Sequence, residues 1–562
     1  MKKKWEYMNK TDEEIEYIIN KFNVSRLVAK VIANRDFKTD EEILNFLNPD
    51  ISRIYDPYLM TDMDIAVDRV IKAIDNKEKI LVYGDYDVDG ITSITVIKKF
   101  LESLGNDPLT YLPNRLDEGY GLNKLAIDEI AKMNVDLMIT VDCGISAIEE
   151  VEYIKSKGFD VIITDHHECG EVLPNAIAII NPKREDSKYP FKQLAGVGVA
   201  FKFIQAIALK LGLDRKAYLK YLDIVCVGTI ADIVPLIDEN RIIAKNGLEL
   251  LKMTRNVGIK ALLKKCGFNH IDSSVISFGL SPRINACGRI GNPQKALDLF
   301  LTNDPIEADK LADELNSANA QRQSIEKKIF ENAKKIIEDN GYQNDSIIVL
   351  GQDNWHHGVI GIVASKIVEL YYKPCILVCF EGEEGKASGR GIAGFDLFSA
   401  VSNSGKLLEK YGGHEMAVGL SINRKNFDKF REELIEYCNN NMEKDPVNVI
   451  KVDSEVKSSD ISLDTINSLK VLEPFGEKNP VPVFVYKNIK IDAIRTLSEG
   501  KHLKLNLKDN QAVYDAIGFN LGSLKDDFNC SDKVDVVHNL EINKFNNIEK
   551  VQLNIKDIMK SI

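Results

Sequence analysis

From about residue 79 the chain alternates short β-branched runs with amphipathic stretches, and three of those runs end directly in clusters of acids or histidines. Alternation of this kind predicts βαβ units and a parallel sheet. The strands fall at 79–83, 136–141, 160–164 and 176–180, and the helices at 91–104, 123–132, 145–157 and 198–212. The clusters are Gly84-Asp85-Tyr86-Asp87-Val88-Asp89-Gly90, Val141-Asp142-Cys143-Gly144 and Thr164-Asp165-His166-His167. In open α/β sheets ligands bind at the carboxyl ends of strands, so clusters far apart in the chain are expected to meet in space. Carboxylates gathered with imidazoles make a site for a hard-to-borderline divalent cation such as manganese or magnesium.

A fourth candidate is Asp232, set in the apolar stretch Val227-Gly228-Thr229-Ile230-Ala231-Asp232-Ile233-Val234-Pro235-Leu236. A lone buried carboxylate is costly, and a metal would compensate it; a helix cap or an arginine partner would also do so. Asp85-x-Asp87-x-Asp89-Gly90 has the opening spacing of an EF-hand loop, but its twelfth position is Val96 and a strand precedes it. An isolated His-His pair is usually a solvated surface feature. Strand-end placement beside two other clusters favours a site.

The remaining regions are organised differently. Residues 1–75 read as short helices, including 24–33 and 63–74, and carry no visible chemistry. The stretch between Pro305 and Gly341 has no Gly or Pro, which predicts a long linking helix within a connecting region 266–342. A second α/β unit at 343–445 has strands near 346–350 and 375–380, helices near 358–370 and 396–410, and two glycine-rich loops. From 446 to 562, alternation at 483–491, 502–507 and 551–555 predicts an antiparallel β domain, a barrel. With 562 residues, 44% hydrophobic and 28% charged, the chain exceeds what one core supports, so several domains are expected.

Nine cysteines without a Cys-x-x-Cys pair give neither a disulfide framework nor a thiolate zinc site, and no long apolar run is present. A reducing cytoplasm and no membrane are expected. The net charge of −12 counts against a nucleic-acid partner, although acids gathered for metals contribute to it and a local basic groove is invisible to a global sum.

Asp87 and Asp89, Asp142, Asp165-His166-His167 and Asp232, in this order, resemble the four signature motifs of the DHH phosphoesterases. The resemblance implies two divalent ions, Mn2+ or Mg2+, that clamp a phosphate and activate the attacking water. In that scheme Asp142 is the bridging ligand, and Asp87, Asp89, His166 and Asp232 are terminal ligands. Neighbouring residues on extended backbone point opposite ways, so His167 is expected to face the phosphate instead. Tyr83 stands where related pyrophosphatases carry a histidine, and Asp85 is additional, which leaves it open between ligand and support for a ligand.

Further motifs resemble the RecJ family within that superfamily: Tyr111-Leu112-Pro113-Asn114-Arg115 with Glu118-Gly119-Tyr120-Gly121, and Pro282-Arg283-Ile284-Asn285-Ala286 with Gly288-Arg289. Leu315-Asn316 with Asn319, Arg322, Gln323 and Glu326, and Pro474-Phe475-Gly476 with Asn479-Pro480, belong to the same pattern. The second α/β unit resembles the DHHA1 domain. Its Gly385-Lys386-Ala387-Ser388-Gly389-Arg390-Gly391 packs glycines beside a hydroxyl and cations, as an anion-binding loop would, although an ordinary tight turn explains the glycines alone. Gly412-Gly413-His414 with Gly419 matches the domain's other hallmark.

The resemblance implies a parallel-sheet DHH catalytic domain at 76–265, a DHHA1 α/β domain joined to it by the long helix, and a C-terminal OB-fold. It implies phosphate binding by His167, Arg115, Arg283, Asn285, Arg289, Arg322, Ser388, Gly389, Arg390 and His414. Phe484, Tyr486, Lys504 and Phe519 are equally open to base contact or core. The implied activity is 5′-to-3′ hydrolysis of single-stranded DNA to mononucleotides in recombination and repair, by a monomer with helicase and single-strand-binding protein as partners. Two rival readings are a phosphodiesterase for oligoribonucleotides or cyclic dinucleotides, and a non-catalytic replication scaffold of the Cdc45 kind. The segments flanking the catalytic domains argue against the first, and the filled acidic and histidine positions against the second.

Overall fold

A computed structural model describes residues 3–8, 10–113, 121–268, 270–442, 446–545 and 548–561. Its contacts divide into two units, one formed mainly by residues 310–449 with 282–295, the other by residues 5–281, 296–309 and 450–562.

The larger unit holds a five-stranded parallel sheet of β1 (Ile80–Gly84), β2 (Leu109–Tyr111), β3 (Leu137–Val141), β4 (Asp160–Thr164) and β5 (Ala178–Ile180), in the order β2-β1-β3-β4-β5. Every residue of β1 and β3 is buried, as helices on both faces of a parallel sheet require. Helices α1 (Val88–Ser103), α2 (Gly196–Lys210), α3 (Leu222–Ala231) and α4 (Asp238–Leu251) belong to this layer. Four strands lie where the sequence predicts them, while β2 is unanticipated. α1 begins three residues before the predicted 91, because the Asp87 carboxylate caps it by accepting from the Asp89 and Gly90 amides. A helix that begins at Val88 leaves no twelve-residue loop after Asp85, which excludes the EF-hand reading.

The C-terminal barrel lies in the same unit. It is built from β11 (Ser454–Glu455), β12 (Phe484–Leu497), β13 (His502–Lys508), β14 (Val513–Gly518), β15 (Lys533–Phe545) and β16 (Ile548–Lys560). The order is β11-β12-β13-β14-β16-β15, and β12 pairs again with β15, so five strands close on themselves. Closure removes the exposed edges an open sheet would present. The N-terminal helices are not separate from it: Val28, Ile32 and Phe46 share one core with Leu472, Phe484 and Leu505. Residues Lys4–Tyr7 form a short strand that the helical expectation for this segment misses.

The smaller unit contains the mixed sheet of β6 (Ile348–Asp353), β7 (Cys375–Glu381), β8 (Glu384–Arg390), β9 (Leu408–His414) and β10 (Ala417–Asn423), ordered β9-β10-β8-β7-β6. The expected long helix is α5 (Pro305–Asn340), followed by α6 (His357–Tyr371). Both predicted glycine-rich loops are strands, β8 and β9. Gly389 in β8 is there for packing, since a Cβ on it would lie 2.5 Å from Val418 and 3.0 Å from Ile376, whereas a Cβ on Gly412 in β9 would meet open space. The helix expected at 396–410 stops at Asn403, and β9 begins at Leu408. Among the described residues no helix is long and apolar enough to cross a membrane, and all nine cysteines are unpaired.

Candidate metal centre

The ends of β1, β3 and β4 converge as the strand-end rule requires. Asp85 follows β1, Asp142 follows β3 in the left-handed region at φ +57°, and Asp165, His166 and His167 follow β4. Aspartate tolerates that backbone better than most residues, and the turn brings its carboxylate toward the centre of the sheet. α1 contributes Asp87 and Asp89 from its first turn, and Asp232 closes α3. Three overlapping groups result, each with donor atoms within 4.8 Å of one another: Asp85, Asp87 and Asp142; Asp142, His166 and His167; Asp89, His166 and Asp232. Asp142 and His166 each belong to two of them.

His166 Nε2 lies 3.0 Å from Asp142 Oδ1, 3.7 Å from Asp232 Oδ2 and 3.8 Å from Asp89 Oδ2. It is buried and makes no hydrogen bond. Burial pushes its pKa down to about 4, so the ring is neutral and presents a lone pair toward three carboxylates. Burial, then the charge of Asp87, pushes Asp89 up to about 7; burial, then Asp89, pushes Asp232 up to about 9; Asp142 rises well above the carboxylate range for the same reasons. Like charges at such spacings repel by about 4 kcal/mol per pair near a protein surface. A cation within the cluster reverses the sign of that interaction and gives the orphaned Nε2 a partner, so the donor set fits a divalent metal centre.

Asp165 does something else. Its Oδ1 accepts from the His166 and His167 amides and from His167 Nδ1 at 2.7 Å, and its Oδ2 accepts from the Ile145 amide at 2.9 Å. Burial works against its charge, but the His167 contact and these amides hold its pKa below the usual value. The two imidazoles do not point opposite ways, since their ring centroids lie 4.5 Å apart and both share a donor group with Asp142, but their partners differ. His166 faces the carboxylates, while half-exposed His167 is oriented by Asp165, which raises its pKa against the opposing effect of burial.

Two contributors went unnoticed in the sequence. The amides of Gly196 and Val197, opening α2, donate to Asp89 Oδ2 at 2.6 Å and Oδ1 at 2.8 Å. A Cβ on Gly196 would sit 2.6 Å from Asp142 Oδ1, so only glycine lets the helix start approach both carboxylates. The signal available was the Ala195-Gly196-Val197-Gly198 run at a predicted helix start.

In the smaller unit, Ser388 and Arg390 lie on one face of β8, against Gly361 of α6, where a Cβ would be 2.8 Å from Ser388 Oγ and 3.1 Å from Arg390 Nη2. Strand register places Ser388 opposite Gly419 and then Gly412, and Arg390 opposite Ala417 and then His414. No heavy atom would meet a Cβ on Gly412 or Gly419 within 4 Å, so bare backbone adjoins the serine. Arg289 donates to the carbonyl of Gly358 at 3.1 Å, one turn before Gly361 on α6. Arg283 donates to Asn316 at 3.0 Å, and Asn285 is part-buried on the same helix as Arg283. Arg322 is buried against Glu326 and Asn319, an arrangement that braces α5. Arg115 lies outside the described residues, as do Glu118, Gly119 and Tyr120. In the barrel, Phe484 and Tyr486 are core residues, whereas Phe519 is 51% exposed and stands edge-on to His502 at 5.3 Å.

Comparison with known proteins adds independent findings. Three family models match: the DHH family N-terminal domain over residues 79–229, the DHHA1 domain over 344–440, and the RecJ OB domain over 452–557. The single-stranded-DNA-specific exonuclease RecJ of Bacillus subtilis is 38% identical over 562 residues, covering 99% of this chain and 71% of that protein. Its counterpart in Escherichia coli is 31% identical over 558 residues, covering 95% of each. The crystal structure of RecJ in complex with Mn2+ from Thermus thermophilus superposes with a TM-score of 0.86 at 29% identity, over 100% of this chain and 80% of that one.

Proposed function

Because the chain belongs to the RecJ family, we propose that it is a metal-dependent exonuclease that hydrolyses single-stranded DNA from the 5′ end to mononucleotides. The observation that carries this reading is the orphaned Nε2 of His166, shared by two of three overlapping donor groups at the ends of a parallel sheet. Two divalent ions, manganese or magnesium, would be held by Asp85, Asp87, Asp89, Asp142, His166 and Asp232, and when bound they supply the positive charge that activates water and offsets the phosphate.

The chain's own groups do the rest. Asp142 and His166 link the three donor groups, and the α2 amides fix the orientation of Asp89. Asp165 fixes the ring of His167 and favours its protonated form, which suits a hydrogen bond to a phosphate oxygen. In the smaller unit, Ser388, the Gly389 backbone, Arg390, Arg289 and His414 would hold the terminal 5′-phosphate. A serine and a guanidinium on one strand face beside bare backbone suit such an anion. The barrel would take the single strand.

Domain limits at 76–265, 343–445 and 446–562, a monomeric state, cytoplasmic residence, and helicase and single-strand-binding protein as partners are part of the same proposal. The experiment is a manganese titration with single-stranded DNA labelled at either end. Mononucleotides released first from the 5′ label, only with metal, support the reading. Release first from the 3′ end, or cleavage insensitive to chelator, overturns it.

A further inference from the structure

The metal centre has two backbone arms outside the ligand motifs, and one buried side chain ties them together. Asp232 ends α3, and the chain continues through Ile233, a β-branched residue at φ +62° that is 71% exposed, before turning inward at Leu236. Such backbone in a β-branched residue is held only where its surroundings over-determine it. The other arm is the segment ahead of α2, whose first amides grip Asp89. Asn240, buried on α4, donates its Nδ2 to Gln193 O at 2.6 Å in this second arm and to Pro235 O at 3.1 Å in the first.

The next residue reaches the other way. Arg241 is 1% exposed, and its hydrogen bonds among the described residues go to backbone carbonyls, with the charge of Glu473 only partly offsetting burial. Its guanidinium lies over the Phe46 ring at 3.7 Å and donates to Phe46 O at 2.7 Å, Glu473 O at 3.0 Å, and Val471 O and Pro474 O at 3.2 Å. That loop, residues 471–479, leads into the barrel. It also touches the Asp232 arm directly: the Leu236 amide donates to Glu477 O at 2.9 Å, and a Cβ on Gly476 would lie 2.6 Å from Leu236 Cδ1. A buried guanidinium satisfied only by carbonyls bears a large desolvation cost, evident in a pKa pushed down to about 9 by burial. A plain domain contact would be made more cheaply by apolar side chains.

We propose that Asn240 and Arg241 are positioning residues of the metal centre: Asn240 sets the separation of Asp232 and Asp89, and Arg241 ties that separation to the loop that carries the barrel. The proposal rests on the metal reading of the site. Neither residue belongs to any of the three donor groups. Partners that orient ligands commonly change metal affinity by about 10- to 100-fold when removed.

The test uses the full chain as Asn240→Ala, Arg241→Lys and Gly476→Ala, with Asp142→Ala as control. Mn2+ binding is measured by calorimetry, thermal midpoint by circular dichroism, and cleavage as a function of Mn2+. The expected result is a roughly tenfold or greater loss of Mn2+ affinity in the first two variants and a loss of roughly threefold in Gly476→Ala, with cleavage recovered as Mn2+ is raised. Mn2+ affinity within about twofold of wild type in folded variants overturns the proposal, because a structural clasp alone would move only the midpoint. Should Asn240→Ala and Arg241→Lys fail to fold, Gly476→Ala decides on the same measure. If Asp142→Ala also binds Mn2+ like wild type, the metal reading itself fails; if it loses Mn2+ while the other three keep it, only this inference does.

Discussion

The two five-stranded sheets handle charge in opposite ways. The parallel sheet concentrates aspartates at its strand ends, where burial and mutual repulsion raise Asp89, Asp142 and Asp232. The mixed sheet places Ser388 and Arg390 on one face of a strand against α6, beside glycines that leave the backbone bare. One arrangement holds protons unless a cation replaces them; the other presents donors to an anion. The difference follows from topology: parallel strands all end on one side, so loops after them converge, whereas antiparallel strands offer rows of side chains on a face.

The comparison breaks most visibly at Asp142. Asp142→Ala should lower the rate of hydrolysis at saturating Mn2+ by about a hundredfold or more, since a shared ligand serves both halves of the site and several kcal/mol are at stake. Single-strand affinity, measured in chelator, should stay near wild type. A rate above about a tenth of wild type would contradict the bridging role.

In the mixed sheet the corresponding change is smaller. Arg390→Ala should reduce the preference for 5′-phosphorylated over 5′-hydroxyl substrate by roughly 1.5–3 kcal/mol, the usual range for a hydrogen bond to a charged group, with Mn2+ affinity unchanged. The quantity to compare is the ratio of kcat/KM for the two substrates. An equal loss on both would make Arg390 a general backbone contact and move the end pocket elsewhere.

The barrel tests whether exposure separates binding aromatics from core ones. Phe519→Ala should weaken single-strand affinity by about 1–3 kcal/mol, the range for one stacked base, without lowering the thermal midpoint. Phe484→Ala, fully buried, should lower the midpoint instead. Point changes are needed because removing the barrel would expose Val28, Ile32 and Phe46.

The legible parts of this molecule are those where side-chain type alone encodes structure. β1, β3, β4 and β5 declare themselves by β-branched runs, and the acids and histidines after them name the site. β2, three residues long, is too short for any periodicity. β8 and β9 read as loops because their glycines are normally turn signals, while here they make room for Val418, Ile376 and an open patch. The Gly196 and Val197 amides escape notice because backbone donors have no letter in the sequence. Arg241 is visible only as a cation beside the apolar Ile242-Ile243 pair, a weak signal until its carbonyl partners are known.

The last expected effect compares the units by pH in the absence of metal. Asp89 and Asp232, raised to about 7 and about 9, hold protons in the folded state that the unfolded chain releases near its ordinary carboxylate range. The folded state then binds more protons than the unfolded one, so stability falls as pH rises through those values. His166 and His538, both pushed down to about 4 by burial, act oppositely, costing stability as pH falls below about 6.5. His167, raised beside Asp165 against the opposing effect of burial, contributes stability that is lost in the same direction as the carboxylates, so between about pH 6.5 and 9 the carboxylates and His167 act with one sign. In that window the metal-free midpoint of the larger unit should drop with rising pH, and the smaller unit, without a described carboxylate cluster, should stay level. Hydrogen exchange resolved by segment, in chelator at pH 6.5 and 8.5, measures both units in one sample. Asp232→Asn should flatten the slope, and saturating Mn2+ should abolish it. A slope shared equally by both units would mean that these aspartates are not what distinguishes the two sheets.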